Sequence, residues 1–180
     1  MKLIFVRHGQ TDYNKEGRVQ GQEKDIPLND DGRQQVELTA ALIPASIDRI
    51  ISSPLKRARE TAEIINRRLN KKIEYRDELK EFSYGSLADK TWEEIAEVTG
   101  DPDVHAKDEE LTFDHRPFGG ESADDVRARV MRCIEDIKKM YSNEAILVTT
   151  HGGIIDTMHA LFPQKEKPEG DNASIHIFEL

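Results

Sequence analysis

Two stretches of this chain combine a run of apolar residues with a histidine at its end. Residues 2–6 lead into Arg7 and His8, and residues 145–150 lead into His151, with a glycine directly after each histidine. Both runs are rich in β-branched residues and predict buried strands. Because ligands of open α/β sheets bind beyond the carboxyl ends of strands, we expect both imidazoles and the guanidinium to face one crevice. Such a crevice favours chemistry on an anion, and phosphate is the obvious candidate.

Arg7 and His8 have the functional groups that phosphoryl transfer requires. The planar guanidinium of Arg7 matches the oxygens of a phosphate, and an unprotonated nitrogen of His8 can attack phosphorus. This role requires the other ring nitrogen of His8 to donate to a backbone carbonyl, which fixes the tautomer. Neighbouring arginines disfavour the charged form of the ring. We expect Gly9 to let the backbone approach the ligand, because it has no side chain.

An isolated Arg-His-Gly sequence also has a structural interpretation. His8 would then be a buried histidine with a satisfied hydrogen bond, and Arg7 would be half of a surface ion pair. The second strand that ends in a histidine and a glycine favours the functional interpretation, because the chain has only six histidines.

A third phosphate-binding element is predicted where the strand over residues 48–51 ends. Ser53 and Pro54 begin a predicted helix, and the N-terminus of a helix favours anions. Arg57 lies in the first turn of this helix, from which its side chain can reach the same crevice. Taken alone, the segment would instead be interpreted as a basic helix start on the surface.

These candidate residues depend on alternating strands and helices for their positions. Apolar runs and periodic apolar faces predict strands over residues 2–6, 48–51, 72–75, 145–149 and 173–178 and helices over residues 30–43, 53–69, 92–98, 122–141 and 153–161. Strands that alternate with helices favour a mostly parallel sheet covered on both faces, which is a three-layer α/β/α architecture. At 180 residues we expect one domain over residues 1–180.

The composition of the chain argues against several other classes of protein. The net charge is −9 and no basic stripe is present, so nucleic acid is not an expected partner. We find no apolar run long enough to span a bilayer and no signal peptide, so no membrane association is expected. The single cysteine, Cys133, excludes an internal disulfide and a thiolate metal site. Together these features predict a cytoplasmic protein.

Residues 82–120 differ from the rest of the chain in charge and in regularity. They contain 10 Asp and Glu residues but only 3 Lys and Arg residues, and several glycines and prolines interrupt the periodic patterns. We interpret this segment as a small lid insertion within the single domain. Its aromatic residues either contact the non-phosphate part of a substrate or pack the lid onto the sheet. They are Phe82, Tyr84, Trp92, Phe113 and Phe118.

Four motifs resemble, in this order along the chain, those of the histidine phosphatase superfamily, which has the phosphoglycerate mutase-like fold. They span residues 7–14, 53–62, 119–122 and 148–153. The resemblance covers nearly the whole chain. It implies a phosphoglycerate mutase-like sheet fold and a reaction that passes through a phosphohistidine without a metal or another cofactor.

The resemblance also implies a role for each candidate residue. His8 would be the nucleophile that accepts the phosphoryl group, while Arg7, Arg57 and His151 would bind the phosphate and stabilise the transition state. The side-chain amide of Asn14 would add a hydrogen bond to the phosphate. Gln20 and Gly21 match a loop that lies near the substrate in relatives, and Gly152 would offer a backbone contact.

Glu81 occupies the position of the family's proton donor, shortly before a Tyr-Gly pair. A glutamate beside the apolar rings of Phe82 and Tyr84 is partly desolvated, which favours the protonated form that an acid needs. Glu78 is a rival at close spacing, and an exposed carboxylate in an acidic stretch is the structural alternative. The following residues 86–91 lack the Trp-Glu-Gly sequence of many relatives, so the loop beside the acid is expected to differ.

Hydrolysis and transfer between phosphate positions are both compatible with a phosphohistidine. The Gln-Thr pair after Arg-His-Gly resembles phosphatases, and the acidic segment 82–120 is a poor wall for a doubly phosphorylated intermediate. We therefore expect a metal-independent phosphatase whose partner is a small phosphorylated metabolite with a neutral or cationic body. A phosphoglycerate mutase and a catalytically weak phospho-ligand-binding domain are the alternatives. The sequence leaves monomer and homodimer open.

Overall fold

The fold is built on a mixed, mostly parallel sheet. The computed structural model describes residues 1–164 and 168–180. The strands of these residues are β1 (Lys2–Arg7), β2 (Arg49–Ser52), β3 (Ile73–Tyr75), β4 (Ala145–Thr150) and β5 (Ile175–Glu179). They lie in the order β3-β2-β4-β1-β5, and β5 runs antiparallel to β1 while the other neighbours are parallel.

Helices cover both faces of this sheet. They are α1 (Asp12–Lys15), α2 (Asp30–Leu42), α3 (Lys56–Leu69), α4 (Trp92–Thr99), α5 (Val104–Glu109), α6 (Ala123–Met140) and α7 (Gly152–Leu161), with 3₁₀ turns at Asp77–Leu79, Gly85–Leu87 and Arg116–Phe118. The predicted three-layer α/β/α architecture is confirmed. Within the described ranges, no helix is both long enough and apolar enough to cross a membrane.

The side chains of β1 point alternately into two apolar clusters, one on each face of the sheet. Leu3 and Phe5 face the layer that contains α6 and α7, and Ile4 and Val6 face the layer that contains α2 and α3. All four side chains are at most 2% exposed. Because successive side chains of a strand point to opposite faces, a strand buried on both sides reads as a continuous apolar run. This run places Arg7 and His8 at the edge of the sheet.

One helix boundary and two short helices differ from the sequence-based expectation for local reasons. The helix predicted from residue 53 begins at Lys56, because Leu55 has extended backbone and its N–H donates to Ser53 Oγ. The short helices α1 and α5 were not predicted, since four and six residues are too few to show a helical period. The start of α2 agrees with the prediction, and Asn29 caps it, as its Oδ1 accepts a 2.8 Å hydrogen bond from the N–H of Gly32.

Gly9 is required by packing rather than by the ligand. A β-carbon on Gly9 would lie 2.5 Å from the carbonyl oxygen of Gly32 and 2.8 Å from a methyl group of Val36, both in α2. The expectation that Gly9 leaves space for a ligand is therefore wrong. The missing side chain allows α2 to approach the loop that follows β1.

The segment 82–120 packs onto the face of the sheet that carries α6 and α7. Its buried residues belong to the same apolar cluster as Phe5 and Val148 of the sheet. Phe82 and Tyr84 are buried in this cluster, and Tyr84 and Trp92 also reach the wall of the cavity described below. The aromatic residues of the segment therefore pack it onto the sheet, while their contact with a substrate stays a prediction.

Candidate active site

A cavity opens at the carboxyl edge of the sheet, where β1, β4 and β2 lie side by side. Its volume is about 260 Å³. The wall contains seven of the nine residues that the sequence suggested, namely Arg7, His8, Asn14, Gln20, Gly21, Arg57 and Glu81. Tyr13, Arg18, Tyr84 and Trp92 complete much of the rim. Because β4 pairs in parallel with both β1 and β2, the carboxyl ends of three strands that are far apart in sequence meet here.

His8 is held in one tautomer. Its Nδ1 lies 2.7 Å from the carbonyl oxygen of Gly9, and a carbonyl can only accept, so Nδ1 carries the proton. Burial, together with the positive charges of Arg57 and Arg7, holds the pKa of His8 well below its usual range. The ring is therefore neutral near pH 7, and Nε2 retains the lone pair that a nucleophile needs.

His151 is completely buried beside His8 and does not form part of the cavity wall. The two ring centroids are 5.3 Å apart, and His151 Nε2 lies 2.8 Å from Ser53 Oγ. Burial and the charge of Arg57 hold its pKa well below the usual range. This places His151 beside the phosphate pocket as a neutral hydrogen-bonding group rather than as a cation.

Gly152 lies outside the main cavity as well. It lines a second cavity of about 180 Å³, which shares Arg7, Glu81 and Tyr84 with the first. The two cavities therefore meet at the arginine and the candidate acid, and Gly152 lies on the far side of that junction.

Arg57 is a buried guanidinium that donates to two backbone carbonyl oxygens. Its Nη2 donates to the carbonyl of Gly21 at 2.8 Å and its Nη1 to that of Lys24 at 3.2 Å. Burial lowers the pKa of Arg57 to about 10, so the side chain is still charged near pH 7. The carboxylates of Glu81, Asp25 and Glu23 offset part of this buried charge, and an anion in the cavity would compensate it further.

Two buried N–H groups of the cavity wall, Arg7 Nε and Arg57 Nε, have no hydrogen-bond partner among the described residues. Arg7 also donates through Nη1 to the carbonyl oxygen of Gly170. Nδ1 of His151, which lies outside the wall, has no partner in this part of the chain either. Buried donors are almost always paired in folded proteins. Two unpaired arginine donors in the wall of one cavity indicate a site for an oxyanion.

Asn14 and Gln20 contribute neutral amides to the wall. Asn14 Oδ1 accepts from the backbone N–H and the hydroxyl of Thr11 and from Asn172 Nδ2, which leaves its own Nδ2 as the donor for a ligand. Gln20 is 7% exposed, and its Oε1 has no partner within the described part of the chain. Both amides thus line the cavity with a polar group that could bind a ligand.

Glu81, rather than Glu78, reaches the cavity. Its Oε1 accepts from the N–H of Phe82 at 3.0 Å and its Oε2 from the N–H of Gly153 at 3.3 Å. Burial raises the pKa of the Glu81 carboxyl, and this effect exceeds the opposing effect of Arg57. Glu78 lines a separate, open cavity beside Arg132. The geometry therefore favours Glu81 as the acid.

Comparison with known proteins assigns the family. A model of the histidine phosphatase superfamily (branch 1) matches residues 3–180. The chain belongs to the histidine phosphatase superfamily. The resemblance carried by the four motifs is thus confirmed.

Relatives of this member of the superfamily have both phosphatase and mutase-like names. It is 34% identical to phosphoglycerate mutase-like protein 4 of Arabidopsis thaliana over 185 residues, which cover 99% of this chain and 79% of the relative. It is also 34% identical to the metal-independent phosphoserine phosphatase of Arabidopsis thaliana over 189 residues, which cover 99% and 76%. The mycobacterial glucosyl-3-phosphoglycerate phosphatase Rv2419c, solved with VO3, has a TM-score of 0.84 at 28% identity and covers 98% of this chain and 90% of that structure.

Three further residues of the histidine phosphatase site were not predicted from the sequence. Ser53 contacts His151, Thr61 Oγ1 accepts from the N–H of Gly9 at 3.2 Å, and Asn172 Nδ2 donates to the carbonyl of His8 at 3.1 Å. Ser53 and Thr61 lie in the second motif, which could have indicated them. Asn172 lies in no motif, and only the fold brings it to the site.

Substitution of Gly153 is expected to disturb the candidate acid, Glu81. A β-carbon on Gly153 would lie 2.7 Å from Glu81 Oε1 and 2.7 Å from a ring carbon of Phe82, whereas one on Gly152 would lie 3.5 Å from the Arg7 guanidinium, an ordinary contact. Gly153→Ala should therefore lower kcat for an alkyl phosphomonoester roughly 10- to 100-fold, and Gly152→Ala should have a smaller effect. Steady-state kinetics of the two variants test this; equal losses would contradict it.

Proposed function

We propose that this protein hydrolyses small phosphomonoesters through a phosphohistidine on His8, with Glu81 as the proton donor and without a metal. The observation that carries the proposal is the fixed tautomer of His8, whose Nε2 is available within a cavity that also holds two arginines. A site that only binds phosphate needs the arginines, but it needs neither a neutral imidazole in this tautomer nor a protonated carboxyl.

The first step transfers the phosphoryl group to His8. Arg7 and Arg57 of the cavity wall donate to the non-bridging oxygens and stabilise their charge. Nε2 of His8 forms a bond to phosphorus while the ester P–O bond breaks, and the leaving oxygen takes the proton of Glu81. The products are the free alcohol, a phosphohistidine and the Glu81 carboxylate.

The second step restores the enzyme. A water molecule attacks phosphorus, the P–N bond to His8 breaks, and the Glu81 carboxylate takes a proton from the water. Inorganic phosphate leaves, and both His8 and Glu81 return to their starting protonation states. The same carboxyl group thus acts first as an acid and then as a base.

Charge around the second cavity supports a substrate with a neutral or cationic body. Its wall contains Asp108, Glu109 and Asp156 in addition to the shared Arg7 and Glu81. Carboxylates here would repel a second phosphate group. One relative is named as a metal-independent phosphoserine phosphatase, and phosphoserine has an ammonium group that suits this wall.

Release of inorganic phosphate in the presence of EDTA tests the proposal. A panel of phosphoserine, glycerol phosphate, a sugar phosphate and 3-phosphoglycerate is assayed with the purified protein. We expect release of inorganic phosphate that survives chelation, and higher kcat/KM for phosphoserine than for 3-phosphoglycerate. Activity that requires an added divalent metal would contradict the proposal, and so would isomerisation of 3-phosphoglycerate without phosphate release, which would favour a mutase.

A further inference from the structure

Arg129 of α6 uses all five of its N–H donors near the candidate acid, three on backbone carbonyl oxygens and two on a carboxylate. Nη1 donates to the carbonyl oxygens of Glu78 at 2.6 Å and Lys80 at 2.7 Å, and Nη2 donates to that of Glu81 at 3.0 Å. The remaining donors form a two-pronged pair with the Glu121 carboxylate, at 2.9 Å from Nε and 3.0 Å from Nη2. A guanidinium has five such donors, so none is left for another partner.

Glu121 and Gln22 extend the same network. Glu121 Oε2 accepts from the backbone N–H of Ser83 and from Gln22 Nε2, each at 3.0 Å. Gln22 Nε2 also donates to the carbonyl oxygen of Glu81 at 2.9 Å. The backbone carbonyl of Glu81 therefore has two side-chain donors, and the backbone on both sides of Glu81 is bound as well.

This network compensates for the absence of regular secondary structure. Residues 80–84 lie outside any helix or strand, so no ladder of backbone hydrogen bonds fixes the position of Glu81. A proton donor must be held within about 0.5 Å of its productive position, and a displacement of about 1 Å can cost roughly 100-fold in rate. Side chains that bind the carbonyls of this segment supply that restraint.

The network is also joined to the phosphate-binding side of the cavity. Gln22 directly follows Gly21, whose carbonyl accepts from Arg57 Nη2 at 2.8 Å. The loop that contains both residues is therefore bound by Arg57 on one side and by Glu121 on the other. A displacement of Glu81 relative to the phosphate would require these contacts to break.

From this geometry we propose that Arg129, Glu121 and Gln22 are positioning residues that set the location of the Glu81 carboxyl relative to the bound phosphate. The inference rests on the proposed function, because it assumes that Glu81 protonates the leaving group. None of the three side chains is assigned a contact with the substrate. Their effect on the rate is exerted through Glu81.

The dependence of rate on the leaving group separates positioning of the acid from general structural damage. p-Nitrophenolate leaves without protonation, whereas a primary alkoxide requires a proton. Arg129→Lys retains the charge but has fewer donors in a different geometry, so kcat/KM for an alkyl phosphomonoester should fall roughly 10- to 100-fold. With p-nitrophenyl phosphate kcat/KM, which reports only the steps up to release of the leaving group, should stay within about threefold of wild type, since the acid is not required there.

Further variants keep the test decisive. Gln22→Met removes two hydrogen bonds and should show a smaller loss of the same kind; it replaces Arg129→Lys if that variant does not fold. Arg132→Lys on the same helix is the matched control, since Arg132 is exposed, and it should match wild type with both substrates.

Equal losses with both substrates in folded Arg129→Lys or Gln22→Met would overturn the inference while leaving the proposed function intact. A wild-type protein without activity on either substrate would contradict the proposed function itself.

Discussion

Replacement of His8 by alanine is expected to lower kcat/KM for every phosphomonoester by about 10⁴-fold or more, because the group that accepts the phosphoryl is removed. No neighbouring side chain can take over this role. His151 is fully buried and does not line the cavity, and its Nε2 already contacts Ser53. Turnover measured with and without EDTA should show the same loss.

Binding of inorganic phosphate is the control for the His8 variant. Arg7 and Arg57 remain in His8→Ala, so the dissociation constant for phosphate, measured by titration calorimetry, should change far less than turnover. Retention of wild-type turnover in the variant would exclude His8 as the nucleophile. Loss of phosphate binding together with turnover would show that the substitution had damaged the pocket, and His8→Gln would then replace it in the comparison.

Glu81→Gln is expected to have the second largest effect, and the effect should depend on the leaving group. For an alkyl phosphomonoester kcat/KM, which reports the first step, should fall roughly 10²- to 10⁴-fold, because an amide cannot supply the proton. For p-nitrophenyl phosphate the loss of kcat/KM should be small. A uniform loss of kcat/KM across leaving groups of different basicity would contradict the role of Glu81 as the acid.

The pH dependence of kcat/KM provides an independent measure of the same residue. Burial raises the pKa of Glu81, so the protonated acid persists above the usual range of a glutamate and activity declines as pH rises through that raised value. Because the pKa of His8 is lowered, protonation of its ring, which removes the nucleophilic lone pair, occurs only at more acidic pH. We therefore expect an acidic optimum. The alkaline limb of the profile should disappear in Glu81→Gln. Titration of the substrate phosphate affects wild type and variant alike, so a limb that is lost only in the variant reports Glu81.

The positions of His8, Arg7 and Arg57 could be predicted because each follows a buried strand or begins a helix. Strands have a clear apolar pattern, and parallel neighbours bring their carboxyl ends to one edge of the sheet. The pattern also predicted the tautomer of His8, since a nucleophilic imidazole needs its other nitrogen bound to a carbonyl. These inferences depend on local sequence and on a general property of α/β sheets.

Other features of the site could not be predicted because they depend on contacts between distant segments. The bonds from Arg129 to the carbonyls around Glu81 have no signature in sequence, since any residue type has a carbonyl. The same holds for Asn172, which binds the carbonyl of His8. The prediction that Gly9 faces a ligand was wrong, because a β-carbon at this position would point at α2, and only the folded structure shows that α2 lies there.

The most direct test of the account is identification of the phosphorylated residue during turnover. The protein is mixed briefly with a labelled phosphomonoester, quenched in base, digested and analysed by mass spectrometry. The account predicts a phosphoryl group on His8 that is stable in base and labile in acid, and that is absent from His8→Ala. A label on a serine or another residue, or steady turnover with no label on His8 at any quench time, would contradict the account.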